Sequence, residues 1–378
     1  MEAIEMVDLK KQYQKIKPAV DKALQECIDA ASFIRGPQVT TFENQLASYL
    51  GVKNVISCAN GTDALQLAMM ALDVKAGDEV IVPAFTYVAA VEVIALLGLS
   101  PVIVDVDPRT FMLNRALVEE ALSPRTRLVV PVHLFGQCAD MQGILDLCRA
   151  YSISVLEDTA QAIGAWYTFS QGEKAAAGTM GNLGTTSFFP SKNLGCFGDG
   201  GAVYTHDDRL AARVKMMANH GQARKYFHET VGINSRLDTL QAAILLEKLK
   251  KLDEYQRARQ EVAARYDQAF GPIEELEIPY RSPASTHVFN QYTLKVPLGQ
   301  REGLREFLSR KKIPSMIYYP QPLHRQPAYR SIGRVVGDLA VTEDLCQRVI
   351  SLPMHTELSN VQIEYICESI LDYFRKLK

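Results

Sequence analysis

The apolar positions change their spacing as the chain proceeds. Residues 8–30 and 38–50 carry them at the three- and four-residue intervals of amphipathic helices, with the RGP at 35–37 between. From Asn54 to about Thr205 the pattern becomes short β-branched runs, NVISCA, DEVIVPA, SPVIVDV, RLVVPVH, ISVLED, TTSFF and GGAVYT, separated by helix-length stretches. Near-continuous Val/Ile runs alternating with helices predict a largely parallel sheet covered on both faces, an α/β domain. Residues 236–270 then read as one long helix, apolar at LQAAILL and charged in its second half. The Pro- and Glu-rich FGPIEELEIPYRSPAST at 270–286 marks a boundary. Beyond it NQYTLKV reads as a strand, REGLREFLSRKK as a helix and SMIYY as a strand, with helices from Thr342 and Asn360. The expectation is a large domain over 1–270, including an N-terminal arm, and a small α+β domain over 271–378.

Composition narrows the function classes. The 378 residues suit two domains, and 47% hydrophobic with 22% charged residues is ordinary for a soluble protein. Lys+Arg 41 against Asp+Glu 43 leaves a net charge of −2, with no basic excess for nucleic acid or an anionic membrane. MEAIEMVDLKKQYQKIK lacks the apolar centre of a signal peptide, and stretches such as VEVIALLGL at 91–99 are too short to span a bilayer. The seven cysteines are scattered, with no CxxC and no Cys/His cluster, so neither metal nor disulfides are expected. These features predict a cytoplasmic protein.

Parallel sheets bind ligands at the carboxyl ends of their strands, and four stretches stand there. SCANGTDALQLAMMAL at 57–72 is a strand, an Asn-Gly turn and a helix predicted to start at Thr62 or Asp63. Such an N-terminus with Gly61 and a hydroxyl is an anion site, or a plain Thr/Asp cap. PAFTYVA at 83–89 sets aromatics, Tyr87 among them, either into the core or against a flat ligand. ISVLEDTAQAIGA delivers Glu157 and Asp158 to a strand end, where a carboxylate needs a cationic partner or caps a helix. SFFPSKNLGCFGDGG at 187–201 puts Ser187 and Lys192 at a strand-to-turn junction. Partial burial there would lower the pKa of Lys192 and free it as an amine. A phosphate cradle, an aromatic plate, a carboxylate and a desolvated lysine are together what pyridoxal 5′-phosphate requires. A nicotinamide enzyme would show GxGxxG after the first strand, where Gly61 stands alone.

In order and separation, NGTDAL, PAFTYVA, EDTAQAIGA, SFFPSKNLGCFGDGG and GINSRLDTLQAAIL resemble the DegT/DnrJ/EryC1/StrS nucleotide-sugar aminotransferases. IRGPQVTTFE at 34–43, YYPQPLHRQPAY at 318–329 and SLPMH at 351–355 extend the likeness over nearly the whole chain. The resemblance implies the fold type I aminotransferase architecture. It implies that Lys192 holds the cofactor as a Schiff base, Asp158 pairs with its pyridinium nitrogen and Gln161 reaches its phenolic oxygen. Tyr87 would cover the ring, and Thr62 and Ser187, with Gly61 and Asp63 beside them, would hold phosphate. Asn234 would reach the phosphate of a neighbouring subunit, making the site a property of a homodimer. Many relatives have His-Tyr-Pro where this chain has Tyr318-Tyr319-Pro320, so a contact to the sugar nucleotide differs. Lys192 separates the chain from dehydratase relatives, which carry histidine there. His133 and His324 are read as satisfied or substrate-contacting rather than as acid/base groups.

SCANGTDALQ, SFFPSK and NSRLDTLQAAILL most resemble enzymes that place a 3-amino group on a UDP-linked 2-acetamido-3-keto-uronic acid sugar. The implied reaction uses L-glutamate as donor in making an amino sugar for surface polysaccharide or lipopolysaccharide. Arg236 is the candidate for the sugar carboxylate, with a structural role as its rival. Other readings are a 3- or 4-aminotransferase of a dTDP- or UDP-linked keto-6-deoxyhexose, and a non-catalytic regulator that binds the cofactor.

Overall fold

The computed structural model describes residues 2–376. Helices α1 (Leu9–Asp29) and α2 (Pro37–Leu50) lead the chain, α2 opening with proline and ending at Gly51 in the left-handed region, φ 66°. Next come β1 (Asn54–Cys58), α3 (Gly61–Ala71), β2 (Glu79–Pro83), α4 (Ala89–Leu96), β3 (Ser100–Val104), α5 (Arg115–Ala121) and β4 (Thr126–Val129). They are followed by α6 (Met141–Ala150), β5 (Ser154–Asp158), the hairpin of β6 (Trp166–Thr168) and β7 (Lys174–Ala176), β8 (Leu183–Ser187) and β9 (Gly201–Thr205). Helix α7 (Asp208–Met217), a hairpin of β10 (Gln222–Arg224) and β11 (Phe227–His228), α8 (Thr239–Leu249) and α9 (Leu252–Phe270) complete this part. The remainder holds β12 (Tyr292–Lys295), α10 (Arg301–Arg310), β13 (Arg334–Val335), α11 (Ala340–Arg348), β14 (Val349–Leu352) and α12 (Asn360–Arg375).

The main sheet has strand order β1-β9-β8-β5-β4-β2-β3-β13. Its pairs are parallel from β8 to β13, while β9 runs antiparallel to both neighbours. Two reversals restore the direction, so β1, β5 and β8 all end at the same edge. Apolar clusters cover both faces, one built on α3 and α4 and the other on α5 and α6. A separate core lies between α9, α10, α12 and the β12–β14 pair. The α/β architecture with a second α+β core is as expected.

Four local expectations are corrected. The 236–270 helix breaks after Leu249: α8 packs its apolar face with α2, whereas α9 carries Val262, Tyr266 and Phe270 into the second core. One straight helix cannot face two cores in different directions, and the chain turns at Lys250–Lys251 without Gly or Pro. SMIYY forms no strand; Met316 makes only an isolated bridge to Ser351. Asn60, not Thr62 or Asp63, caps α3, its Oδ1 accepting from the Asp63 N–H at 2.8 Å. Arg236 precedes α8 by three residues and is not part of it.

Residues after 320 cross back to the main sheet. Leu323 and Leu339 enter the α3–α4 side core, and β13 pairs with β3. Arg334 donates to the buried Glu79 carboxylate at 2.9 Å. We keep the 1–270 and 271–378 division as a proposed organisation, with this excursion across it.

Candidate active site

Between β8 and β9 the chain doubles back on itself tightly. The Phe188 N–H donates to Gly200 O at 2.7 Å, Cys196 N–H to Phe188 O at 2.8 Å and Lys192 N–H to Phe189 O at 2.8 Å. A Cβ at Gly195 would stand 2.4 Å from Pro190 O, so the turn closes only around glycine. The fold holds Lys192 inside that turn, half-buried and facing the strand ends. Burial lowers its amine from 10.5 to about 8, and the Asp158 carboxylate opposes part of that shift.

Glu157 and Asp158 are consecutive on β5, so their side chains leave the sheet on opposite faces. Glu157 is fully buried and satisfied: it accepts from the N–H groups of Gly178, Met180 and Gly181 at 2.9, 2.7 and 2.6 Å, and pairs with His133 Nε2 at 2.9 Å. His133 Nδ1 accepts from the Ala139 N–H at 3.1 Å, which puts the ring proton on Nε2, donated to Glu157. This histidine ring is buried with both nitrogens satisfied. The Asp158 carboxylate accepts from the Ala160 N–H at 2.9 Å, its one hydrogen bond among the described residues. Burial raises its pKa, and the Ala160 hydrogen bond, Lys192 and His133 pull it back. A carboxyl in that state is stabilised as an anion by a cationic ring nitrogen placed against it.

The cradle forms where α3 meets the end of β8. A Cβ on Gly61 would lie 2.7 Å from Ser187 Cβ, so glycine lets the helix N-terminus abut that strand. Because Asn60 supplies the cap, the Thr62 hydroxyl has no partner among the described residues, and the first N–H groups of α3 remain available to an anion. Ser187 Oγ accepts from the Phe189 N–H at 3.2 Å and keeps its proton for a further acceptor.

Gln161, Tyr319 and Tyr87 form the other wall. The Phe135 N–H donates to Gln161 Oε1 at 2.7 Å, which turns Nε2 towards the Tyr319 hydroxyl at 3.3 Å. Tyr319 is deeply set, its phenol pushed upward by burial and by nearby Asp158. Its ring lies edge-on to Phe85 at 5.9 Å and tilted to Tyr87 at 6.4 Å. Phe85 is core, whereas Tyr87 is 61% exposed, available to lie over a flat ligand. Tyr318 is half-buried beside Tyr319 at 6.1 Å. His324 pairs with Glu343 at 3.0 Å.

Asn234 and Arg236 lie along the β1 edge. Asn234 is exposed, and its neighbour Ser235 accepts from the Ala59 N–H at 3.0 Å. Arg236 lines a cavity of about 460 Å³ with Arg35 and Lys215, along the edge strand β1. Three strand spacings, roughly 14 Å, separate β1 from β5 and Asp158. Sequence reading missed Phe135, whose backbone N–H turns Gln161 and carries no sequence signal. Among the described residues no group of His, Cys, Asp and Glu could hold a metal ion, and no helix is long and apolar enough to cross a membrane.

The glycine-framed cradle, the underpaired Asp158 and the desolvated Lys192 amine fit pyridoxal 5′-phosphate, and a solved neighbour of this fold holds the cofactor's amine form. The UDP-2-acetamido-2-deoxy-3-oxo-D-glucuronate aminotransferase of Pseudomonas aeruginosa is 46% identical over 97% of this chain and 99% of its own. The pleiotropic regulatory protein of Geobacillus stearothermophilus is 41% identical over 98% and 99%. S. venezuelae DesV, solved in complex with a ketimine intermediate, superposes with a TM-score of 0.94 at 36% identity, covering 99% of each chain. Residues 14–371 match the family's pattern throughout, and the chain belongs to the DegT/DnrJ/EryC1/StrS aminotransferase family, whose members use pyridoxal 5′-phosphate.

Proposed function

We propose that this enzyme transfers the amino group of L-glutamate to UDP-2-acetamido-2-deoxy-3-keto-glucuronate, giving the 3-amino sugar for surface polysaccharide or lipopolysaccharide. The observation that carries transamination is the Lys192 amine, lowered to about 8 beside Asp158 at the strand ends. The sugar is supported by the 46% identical Pseudomonas relative named for that substrate.

Bound in the site, pyridoxal phosphate supplies an electron sink for the bond to the donor's α-hydrogen. The chain's own groups do the rest. Near neutral pH a useful fraction of Lys192 is the free amine, so it can hold the cofactor covalently. Its Nζ would also be the base placed to take the donor's α-proton. Asp158 holds positive charge on the ring nitrogen. Thr62, Ser187 and the start of α3, with Gly61 and Asp63, hold phosphate. Gln161 would offer Nε2 to the ring's phenolic oxygen, Tyr87 would cover the ring, and Tyr318 and Tyr319 would line the sugar side.

Asn234 is exposed and Arg236 lines an open cavity along the edge strand β1, an arrangement that supports service to a second subunit's site in a cytoplasmic homodimer. Arg236 would there face the sugar carboxylate. Mixing Lys192→Ala with Asn234→Ala chains leaves one whole site per mixed dimer, so two weak parents should regain activity together. No recovery after verified subunit exchange places Asn234 in its own site.

Incubation with L-glutamate and a panel of UDP- and dTDP-linked 3- and 4-keto sugars, followed by mass spectrometry, tests the substrate. Preferred amination of a 6-deoxy sugar would overturn the uronate. The regulator reading has the Geobacillus relative's name in its favour; cofactor binding without turnover on any keto sugar would select it.

A further inference from the structure

Asn193 follows Lys192 directly, and none of the chemistry above uses it. Its side chain is 4% exposed. Nδ2 donates to the Val288 carbonyl at 3.0 Å, while Oδ1 is buried with no partner among the described residues.

Val288 belongs to the stretch 288–290, where the chain passes from the linker into the second core. That stretch is held from several directions. The Val288 N–H donates to Gly136 O at 2.8 Å and the Asn290 N–H to Phe135 O at 2.9 Å. Arg259 on α9 donates to Phe289 O at 3.0 Å and to Met354 O at 2.9 Å. Gly136 has φ 115°, and a Cβ there would meet Phe289 N at 2.8 Å, so the two segments approach this closely only around glycine. Phe135, one residue earlier, is the donor that orients Gln161. One fixed stretch of backbone therefore carries both the neighbour of Lys192 and the group that aims Gln161.

We propose that Asn193 is a positioning residue: its amide suspends the lysine-bearing turn from the 288–290 stretch, keeping the Lys192 amine in register with Gln161. The proposal rests on the transaminase reading of the site. Without that amide the turn is free to move outward on its glycines, and the half-buried Lys192 becomes more hydrated.

The test is a pH titration of the lysine-bound cofactor's absorbance in full-length, cofactor-loaded wild type, Asn193→Ala and Asn193→Ser, with kcat, KM and Tm measured alongside. Asn193→Ala should raise the midpoint by about one pH unit, since hydration favours the charged form of the lysine nitrogen. It should lower kcat by about 10- to 100-fold and leave KM for the amino donor within about two-fold. Asn193→Ser, with a shorter donor, should fall between. A wild-type midpoint in variants that lose only Tm overturns the proposal and leaves Asn193 a structural tether. Should the alanine variant fail to fold, the serine midpoint decides on the same terms. A wild-type protein with no lysine-bound cofactor band overturns the transaminase reading, and the proposal with it.

Discussion

Lys192 and Lys248 are both lowered by burial from 10.5 to about 8, yet they occupy opposite situations. Lys248, on α8, is 1% exposed, with its ammonium 5.6 Å from the centre of the Phe197 ring and no carboxylate in ion-pair range among the described residues. Lys192 is only half-buried, opens onto the strand ends and has Asp158 acting on it. The two lie on either side of the same turn, since Phe197 belongs to it. With Lys192 as the proposed reactive amine, a shifted pKa alone does not distinguish it from Lys248. Access for a carbonyl compound and an acidic partner for the group it brings are what separate the pair.

The widest gap should appear on deleting each amine. Lys192→Ala should remove transamination by at least about 10²–10⁴-fold, and borohydride should fix the cofactor of the wild type onto the Lys192 peptide. Label on the Lys248 peptide would break the comparison outright. Asp158→Asn should retain the cofactor but lose on the order of 10²-fold in kcat, because an amide cannot hold charge on the ring nitrogen; near wild-type turnover would remove the acidic partner from the distinction. The pH dependence is next. Only the neutral amine attacks, so cofactor capture by the full-length protein should rise about tenfold per pH unit and level near pH 8. A rise continuing towards 10.5 would show Lys192 to be as hydrated as a surface lysine.

A smaller effect is expected beside Asp158. Glu157→Gln places an amide NH₂ among three backbone N–H donors and the His133 Nε2–H and should cost about 1–3 kcal/mol of stability, read by denaturant unfolding, with kcat in the folded fraction largely kept. Loss of kcat equal to that of Asp158→Asn would mean that the two carboxylates act as one. Smallest of all, Lys248→Met should leave kcat within about two-fold and Tm equal or higher, since a buried charge without a partner is destabilising. A large kcat loss would make Lys248 part of the chemistry.

The elements closest to chemistry were the most legible, because their signals are local. Lys192 sits between aromatic and glycine-rich stretches, Asp158 ends a β-branched run, and Asn60-Gly61 punctuates strand and helix. What escaped was set by distant partners. The period of GGAVYT gives β9 as a strand but not its reversed direction, which depends on the pairing with β1 and β8. The bend at Lys250–Lys251 follows from two cores rather than from any breaker residue. Glu157 and Asp158 look alike in sequence and differ only in what the 178–181 loop and His133 bring to one of them. Arg334-Val335 is too short to show a strand period at all.

The position of that short strand bears on how the protein is made. Arg334 reaches Glu79 across 255 positions of sequence, so a ribosome needs roughly 13–50 seconds between delivering one and the other. During that interval β3, with Val102, Ile103 and Val104, is an uncapped apolar edge open to strands from other nascent chains. Chains ended early, by a premature stop or by cleavage before residue 334, keep that edge for good, and Glu79 loses one of its two guanidinium partners. Such fragments should be found in inclusion bodies rather than as a soluble N-terminal domain.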